Sequence, residues 1–247
     1  MSLRLIRKQN PLLWCITNIV VANFTANGLL AVGASPCMAD AKEELEDFAA
    51  ISSALSLNMG TLDALQVEVM KKALNHAKGN IPVLLDPVGA GASTFRQKTA
   101  KELVALKPDA IRCNAGEFAA LAGLKWSAKG VDAGSGELDY KEAARDFAAK
   151  HDLLLVITGQ SDFITDGKSS EEVLGGNEQI TLVTGSGCLL SALITALLPQ
   201  KDSFKAILQL LKEYKKAASL AASASKGPGS LAMHFLDALH EMSKDAL

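Results

Sequence analysis

The sequence predicts an α/β fold in which a mostly parallel central sheet is flanked by helices in three layers. Three observations support this prediction: short runs rich in Leu, Val and Ile alternate with longer amphipathic runs, turn residues follow the short runs, and 247 residues with 49% hydrophobic composition suit one large core. Alternating strands and helices favour crossover connections, which produce a parallel sheet covered by helices. Residues 1–247 are therefore expected to form a single domain.

Strands and helices are predicted in turn from periodicity and from the residues that end each run. The predicted strands are 54–58, 81–86, 110–113 and 153–158. The predicted helices between them are 61–78, 96–106 and 140–150, and those of the last third are 187–198, 203–225 and 230–244. Pro199 and the run Gly227-Pro228-Gly229 separate the last helices, which are expected to pack on the sheet. Segment 129–136 is the most linker-like and is predicted to be an exposed loop.

Composition and charge exclude several classes of partner. The net charge is −2, and acidic and basic residues are mixed along the chain, which argues against nucleic acid and membrane surfaces. The apolar stretch 189–198 is too short to cross a bilayer, and residues 1–10 do not open a signal peptide. We therefore expect a cytoplasmic protein that acts on a small-molecule substrate.

Cysteine and histidine spacing gives no metal centre. The four cysteines are widely separated without a C-x-x-C pair, which predicts free thiols in a reducing compartment. The four histidines lack the spacing of a zinc site.

The most informative segment is Val183-Thr184-Gly185-Ser186-Gly187-Cys188-Leu189-Leu190. Its glycines let backbone amides approach a ligand, and the unpaired N–H groups of the helix that follows favour an anion. Cys188 is placed in the first turn, where a helix N-terminus lowers a thiol pKa and makes it a candidate proton acceptor or nucleophile. Two simpler alternatives stay open: a tight packed connection, and a small buried residue at Cys188.

Polar residues follow each predicted strand, where ligands gather in parallel α/β folds. The segments are Asn58-Met59-Gly60-Thr61, Asp86-Pro87-Val88-Gly89-Ala90-Gly91, Arg112-Cys113-Asn114-Ala115-Gly116-Glu117 and Thr158-Gly159. Singly, Asp86 can end a strand in a turn and Glu117 can be a solvated first-turn carboxylate. Jointly, two carboxylates, an arginine and two glycine-rich loops predict a magnesium and phosphate site.

The common phosphate-binding motifs are absent. A Walker A loop ending in Gly167-Lys168-Ser169 would need glycine at Asp162, and a dinucleotide fingerprint through Gly185 and Gly187 would need glycine at Leu190. A nucleotide would therefore bind on another scaffold.

At these motifs the chain resembles the hydroxyethylthiazole kinase family of the ribokinase-like superfamily. The resemblance rests on Ile16-Thr17-Asn18, Ala34-Ser35-Pro36-Cys37-Met38, Asn58-Met59-Gly60-Thr61, Asp86-Pro87-Val88-Gly89-Ala90-Gly91, Arg112-x-Asn114, Thr158-Gly159 and Thr184-Gly185-Ser186-Gly187-Cys188. It covers residues 11–239. It implies ATP-dependent phosphorylation of the primary hydroxyl of 4-methyl-5-(2-hydroxyethyl)thiazole, a salvage step in thiamine biosynthesis. Cys188 is the most specific match, because most ribokinase-like enzymes carry Asp there.

The resemblance also implies roles for individual residues. Those expected to line the thiazole pocket are Asn18, Met38, Gly60 and Gly185, and those expected on the nucleotide are Arg112, Thr158 and Gly187. Asp86 and Glu117 would organise Mg²⁺ and phosphate oxygens, and Cys188 would lie beside the substrate hydroxyl as the catalytic residue. The resemblance further implies a homotrimer with its sites at subunit boundaries. Met38 as plain core filler stays an alternative.

Two residues depart from the family pattern. Cys113 replaces a glycine after the arginine, which raises the question of the local backbone conformation, and Trp14 replaces a histidine of many relatives. With Cys188 weighed as a weak proton acceptor, we expect Cys188→Asp to retain or improve turnover and Cys188→Ala to lower it.

Three alternatives to this function stay open at this point. They are a ribokinase-like kinase for another vitamin alcohol such as hydroxymethylpyrimidine or pyridoxal, a dehydratase that repairs hydrated nicotinamide nucleotides, and a non-catalytic binding protein. Cys188 in place of Asp argues against the first two. The pair Asp86 and Glu117 argues against the third, since a binder needs no magnesium-organising charges.

Overall fold

The computed structural model describes residues 1–124 and 140–244. Its strands form one sheet in the order β2-β1-β3-β4-β5-β6-β7-β8. They are β1 (Leu12–Ile16), β2 (Ser35–Cys37), β3 (Ala54–Asn58), β4 (Val83–Asp86), β5 (Ala110–Asn114), β6 (Leu154–Thr158), β7 (Asp162–Thr165) and β8 (Ser170–Val173). The neighbours from β2 to β6 pair in parallel, and β7 and β8 add an antiparallel edge.

Helices of the described residues cover both faces of the sheet. They are α1 (Ser2–Gln9), α2 (Ala22–Ala31), α3 (Leu45–Ile51), α4 (Ala64–Ala77), α5 (Thr94–Ala105), α6 (Ala115–Ala122), α7 (Tyr140–His151), α8 (Ser186–Thr195), α9 (Ser203–Ala224) and α10 (Pro228–Ser243). None of these helices is long and apolar enough to cross a membrane.

Two apolar cores lie on opposite faces of the sheet and confirm the predicted three layers. Successive strand residues alternate between them: Leu84 packs with α1, α2, α8, α9 and α10, while its neighbour Leu85 packs with α3 to α7. Both residues are fully buried, as expected for a parallel strand covered on both faces. The cores fix the sheet and so fix where its strands end.

Strand register aligns polar residues at one edge of the sheet. Asn58 is the register partner of Asp86, and Asn114 is the partner of Thr158. Each of these four residues is the last of its strand, so the two pairs lie side by side at the carboxyl ends. A one-residue slip would exchange the two core faces, and burial on both sides therefore holds this alignment.

All four predicted strands are confirmed, with boundaries that differ by two residues at most. The predicted helices are confirmed to within three residues at each end. The predicted loop 129–136 lies outside the described residues. The prediction of free thiols is also confirmed, because all four cysteines are unpaired.

Four strands were not predicted, and each has a physical reason. β2 has only three residues and contains Pro36, which lacks an N–H and suits an edge strand. β7 and β8 have only four residues each, and they form a hairpin whose turn contains Gly167 at φ +83°, so periodicity had too few residues to indicate either strand. β1 is a five-residue apolar run, too short for periodicity to separate strand from helix.

Candidate active site

The carboxyl ends of β1, β3, β4, β5 and β6 form a polar edge that meets the N-terminus of α8. Side chains there are Asn18, Asn58, Asp86, Arg112, Glu117, Thr158, Cys188 and Ser191. Asn18 follows β1, the next five lie at or just after β3 to β6, and the last two lie on α8. The fold therefore brings most of the predicted site residues to one place.

Two asparagines connect the loops after β1 and β3 to Asp86. Asn18 Nδ2 donates to Asn58 Oδ1 at 2.6 Å, and Asn58 Nδ2 donates to Asp86 Oδ2 at 2.8 Å. The amide of Gly60 donates to Asn58 Oδ1 at 3.0 Å, and the amide of Val20 donates to Asn18 Oδ1 at 3.1 Å. In each of the two side chains Nδ2 donates and Oδ1 accepts, which fixes the orientation of both side-chain amides.

Asp86 is the fully buried centre of this network. Its Oδ2 also accepts a hydrogen bond from Ser191 Oγ at 2.8 Å, whereas its Oδ1 has no hydrogen-bond partner among the described residues. Burial raises the pKa of Asp86 to about 6, the charge of Arg112 opposes this shift, and the charge of Glu117 adds to it. A buried carboxylate oxygen without a partner fits a site that receives a cation or a ligand hydroxyl.

Arg112 supplies the positive charge beside Asp86. Its Nη1 lies 4.0 Å from Asp86 Oδ2, its Nη2 donates to Thr158 Oγ1, and its side chain is only 13% exposed. A Cβ on Gly187 would lie 2.7 Å from Arg112 Nη1. The guanidinium therefore lies directly against the first turn of α8, where only glycine leaves room for it.

The variant Gly187→Ala is expected to raise the KM for ATP by about 10-fold, the equivalent of about 1.4 kcal/mol. The added methyl displaces the end of the Arg112 side chain from Thr158 and Asp86, while the fold needs no other change. Steady-state kinetics with ATP varied measures the effect. Gly229→Ala is the matched control, because a Cβ there has nothing within 4 Å, and an unchanged KM in Gly187→Ala would contradict the expectation.

Glu117 links the loop after β4 to the start of α6. Its Oε1 accepts the amide of Gly89 at 2.8 Å and its Oε2 accepts the amide of Asn114 at 2.9 Å. Asn114 Oδ1 accepts the amide of Glu117 at 2.8 Å, which completes a capping box. The carboxylate is thus held by backbone groups, and each oxygen keeps a second lone pair for a ligand.

The two carboxylates do not make a protein-only metal cage. Within residues 1–124 and 140–244, no group of three or more His, Cys, Asp or Glu side chains is arranged to hold a metal ion. Mg²⁺ commonly binds one or two carboxylates and completes its shell with water and substrate phosphates. Asp86, with its unpartnered Oδ1, and Glu117 fit that second mode.

Cys188 lies in the first turn of α8, which begins after Gly185 at φ +90°. Asn18 Nδ2 lies 3.9 Å from Cys188 Sγ. Burial and the charge of Asp86 raise the thiol pKa to about 11, despite the opposing effect of hydrogen bonds from Asn58 and Asn18. The expectation that the helix N-terminus lowers this pKa is therefore wrong, because desolvation and the neighbouring carboxylate outweigh the helix dipole. Cys188 is a neutral thiol at pH 7.

Alkylation of Cys188 by iodoacetamide at pH 8 is expected to be about 100-fold slower than that of a thiol with an ordinary pKa. Only the thiolate reacts, and a pKa of about 11 keeps its population low. Mass spectrometry of the tryptic peptide 169–201, which contains no other cysteine, measures the rate. Glutathione in the same reaction is the control, and a rate that levels off above pH 8 would show an acidic thiol instead.

Helix α9 contacts the turn that follows β6 and the start of α8. The hydroxyl of Tyr214 donates to the carbonyl of Ser186, and Lys215 Nζ lies 3.3 Å from Asp162 Oδ1. Asp162 Oδ1 in turn accepts the amide of Gly159 at 3.1 Å. Two consecutive residues of one helix thus fix the turn after Thr158 and the turn before Cys188.

The remaining predicted site residues lie around this network. A Cβ on Gly60 would lie 2.3 Å from Asn18 Nδ2, and one on Gly185 would lie 3.0 Å from Val21 Cγ1, so both glycines allow close packing next to Asn18. Met38 follows β2 and packs on the apolar core of α1, α2 and α8 to α10. This packing agrees with the core-filler alternative, and a contact of Met38 with substrate stays a prediction.

The two departures from the family pattern lie in the core. Trp14 is fully buried, and its Nε1 donates to the carbonyl of Ala39 at 2.8 Å, so it holds the segment that contains Met38. Cys113 is buried in β5 and faces the core of α3 to α7. Among the non-glycine residues of the described chain with positive φ, Cys113 does not occur, so this position does not require glycine here.

Comparison with known proteins agrees with this geometry. A sequence model of the hydroxyethylthiazole kinase family matches residues 3–245. The chain belongs to this family. Hydroxyethylthiazole kinase of Lysinibacillus sphaericus is 46% identical over 99% of this chain and 97% of its own length, and that of Histophilus somni is 45% identical over 98% and 94%.

Solved structures agree with the family and the fold. The hydroxyethylthiazole kinase structure from Pyrococcus horikoshii has a TM-score of 0.89 and 37% identity, and the match covers 98% of this chain and 92% of that one. A Bacillus subtilis pyridoxal kinase in complex with ADP has a TM-score of 0.63 at 18% identity, with 83% and 90% covered, and shares the fold alone. As a member of a kinase family, this chain uses ATP and acts on a small molecule.

Sequence reasoning assigned no role to three residues that the structure places in the site. Ser191 could have been found from its spacing, because it lies three residues after Cys188 and so on the same face of α8. Asn58 belongs to a quoted motif, but its contact with Asp86 depends on strand register. Arg96 lies in α5, and its contacts cross between loops, which local sequence cannot show.

Proposed function

We propose that this chain transfers the γ-phosphoryl group of ATP to the primary hydroxyl of 4-methyl-5-(2-hydroxyethyl)thiazole, a salvage step in thiamine biosynthesis. The observation that carries the proposal is the family match over residues 3–245. The polar edge supports it, since a buried carboxylate, an arginine side chain that is 13% exposed and a glycine-rich helix start meet there, next to a neutral thiol.

Phosphoryl transfer through a loose transition state depends on alignment and charge stabilisation. We assign Arg112, Thr158 and Gly187 to the nucleotide, and the residues assigned to the thiazole alcohol are Asn18, Met38, Gly60 and Gly185. The contacts of Arg112 with Thr158 and of Asn18 with Asn58 support these assignments, because each holds its side chain in one geometry. The amides at the start of α8 and the Arg112 charge would stabilise the phosphoryl oxygens.

Asp86 and Glu117 are the residues that would hold Mg²⁺ together with nucleotide phosphates. The ion would supply charge neutralisation of the phosphate oxygens. Asp86 has the unpartnered Oδ1, and Glu117 is fixed between Gly89 and Asn114. Asp86 is the last residue of β4, and Glu117 lies in the first turn of α6, directly after the neighbouring strand β5, and this placement supports the role.

Cys188 is proposed to position the alcohol as a neutral thiol. A thiol with a pKa of about 11 is a poor acceptor for a proton at pH 7. A loose transition state needs little early deprotonation of the alcohol, so turnover does not require Cys188 to accept a proton. The expectation for Cys188→Ala, a lower kcat, and for Cys188→Asp, an equal or higher one, stays unchanged, and an unchanged kcat in Cys188→Ala would leave the thiol as space-filling only.

The decisive experiment measures ADP formation from Mg-ATP with 5-(2-hydroxyethyl)-4-methylthiazole. Hydroxymethylpyrimidine and pyridoxal serve as parallel acceptors, and a reaction without acceptor gives the background. Turnover selective for the thiazole supports the proposal. Turnover with another acceptor alone would keep the phosphate site and discard the pocket assignment, and no turnover with any acceptor would favour the dehydratase or the binding protein.

We further propose a homotrimer with sites at subunit boundaries, and a cytoplasmic location. Ile19 and Val20 directly follow Asn18 and are 81% and 65% exposed, so an apolar surface borders the site and supports its coverage by another subunit. Light scattering should give three times the 26.0 kDa mass of one chain. The four free thiols support a reducing compartment.

A further inference from the structure

Arg96, in the first turn of α5, bonds the backbone of two loops that follow neighbouring strands. Its Nη2 donates to the carbonyl of Gly60 at 2.6 Å, and its Nη1 donates to the carbonyl of Val88 at 2.9 Å. Nη1 also donates to the carbonyl of Met59. A guanidinium presents its donors in a rigid planar fork, so it can hold several acceptors in one fixed arrangement.

The two loops carry both halves of the site. The loop after β3 contains Gly60, whose amide bonds Asn58, and the loop after β4 contains Gly89, whose amide bonds Glu117. Besides Arg96, two hydrogen bonds to Asp86 join the loops: the amide of Met59 donates to the carbonyl of Asp86 at 3.1 Å, and Asn58 Nδ2 donates to Asp86 Oδ2 at 2.8 Å. Arg96 therefore contacts both the loop after β3, which adjoins the proposed alcohol site, and the loop after β4, which adjoins the proposed Mg²⁺ site.

The contacts of Arg96 indicate that this residue holds the two loops in place and does not serve to pair with a carboxylate. Among the residues that the structure describes, Arg96 forms no ion pair with a carboxylate, and its partners are three carbonyl oxygens. Ser93 caps α5 by accepting the amide of Arg96 at 3.2 Å, which fixes the base of the side chain. Gly89, at φ +70°, lies beside this side chain, and a Cβ there would be in ordinary van der Waals contact with Arg96 Cδ at 3.5 Å.

We propose that Arg96 is a positioning residue that holds the alcohol-side loop, residues 58–61, in register with the metal-side loop, residues 86–89. The inference rests on the proposed function, because it assigns the two loops to the two reacting partners. Arg96 acts through Gly60, Asn58 and Glu117 and touches neither partner. A lysine retains the charge, but its single ammonium on a flexible stem cannot hold carbonyls of both loops in a plane.

The kinetic test compares Arg96→Met and Arg96→Lys with the wild-type enzyme. Both variants are expected to lose about 10- to 100-fold in kcat/KM for the thiazole alcohol, since a displacement of about 1 Å at a reacting centre costs this much. The KM for ATP should stay within about 3-fold, because Arg112 and Thr158 lie on other strands. Lys98→Met is the matched control, a 76% exposed cation on the same helix, and should behave as wild type.

Hydrogen exchange provides a readout that does not depend on turnover. The amides of Met59, Gly60 and Gly89 should exchange faster in both Arg96 variants, while amides in the core of β4 keep their protection. Faster exchange at these amides with selective loss for the alcohol supports the proposal. Unchanged exchange, an unchanged kcat/KM for the alcohol, or a KM for ATP that rises by clearly more than about 3-fold would overturn it.

The same measurements separate this inference from the proposed function. If the wild-type enzyme fails to phosphorylate the thiazole, the proposed function fails, and the exchange data still decide whether Arg96 couples the loops. If Arg96→Met does not fold, Arg96→Lys carries both readouts, since it preserves the aliphatic stem and the charge.

Discussion

Asp86→Asn is expected to lower kcat by about 10²- to 10³-fold, the largest loss among the variants considered, because it removes a preorganised charge from the reaction centre. The amide has nearly the same volume as the carboxylate, and its oxygen can still accept from Ser191 and Asn58. What is lost is the negative charge beside Arg112 and the carboxylate oxygen at Oδ1 that has no protein partner. Single-turnover measurement of ADP formation, with Mg²⁺ varied, gives the effect.

A thermal unfolding curve is the control for Asp86→Asn. Burial raises the pKa of this carboxyl, which shows that the fold does not favour its charged form, so its neutral isostere is expected to unfold within a few degrees of wild type. Activity near the wild-type level would remove Asp86 from the reaction. A large drop in the unfolding temperature would make its role structural instead.

Gly60→Ala is expected to be the second most damaging change, with kcat/KM for the thiazole about 10²-fold lower. The new Cβ would lie 2.3 Å from Nδ2, 2.5 Å from Cγ and 2.7 Å from Cβ of Asn18. Asn18 has a short side chain held by Asn58 and by the amide of Val20, so it cannot swing away without losing both contacts. The backbone of the loop after β1 or of the loop after β3 must therefore move. Steady-state kinetics with the alcohol varied measures the resulting loss in kcat/KM.

Gly229→Ala is the matched control for this glycine. A Cβ at this position in α10 has nothing within 4 Å, and alanine is a better helix former than glycine. The control should show unchanged kinetics and an equal or higher unfolding temperature. If Gly60→Ala behaved like the control, Asn18 would be free to move and its place in the alcohol pocket would be wrong.

Local sequence pattern was sufficient for the middle strands and the long helices. β4 and β6 are apolar runs closed by Asp86 and Thr158, and both features follow from burial on two faces and from turn chemistry. β2 could not be predicted from pattern, because a three-residue strand with Pro36 exists only through its pairing with β1. Its formation depends on tertiary contacts that periodicity does not record.

The residue types of the site could be predicted from the sequence, but the interactions between these residues could not. The position of Asp86 at a strand end indicated a polar edge, but its raised pKa comes from burial under α8, a contact distant in sequence. For the same reason the direction of the Cys188 pKa shift was predicted wrongly, since the helix dipole is a local effect, whereas burial and the charge of Asp86 depend on contacts distant in sequence. Arg96 shows the limit most clearly, because its role depends on two loops meeting in space.

The strand order places a topological switch point between β1 and β3. From β1 the chain passes to β2 on one side and then to β3 on the other. Helix α2, which follows β1, and helix α4, which follows β3, pack on opposite faces of the sheet. The connections that leave β1 and β3 therefore diverge, and such divergence opens a crevice at the carboxyl ends of the two strands. Asn18 and Gly60 border this crevice, whereas Arg112 and Thr158 lie on β5 and β6. With the roles proposed above for these residues, the loops after β1 and β3 recognise the acceptor, whereas β5 and β6 handle the phosphates. We therefore expect that substitutions in those two loops can change the acceptor while the phosphate half stays as it is.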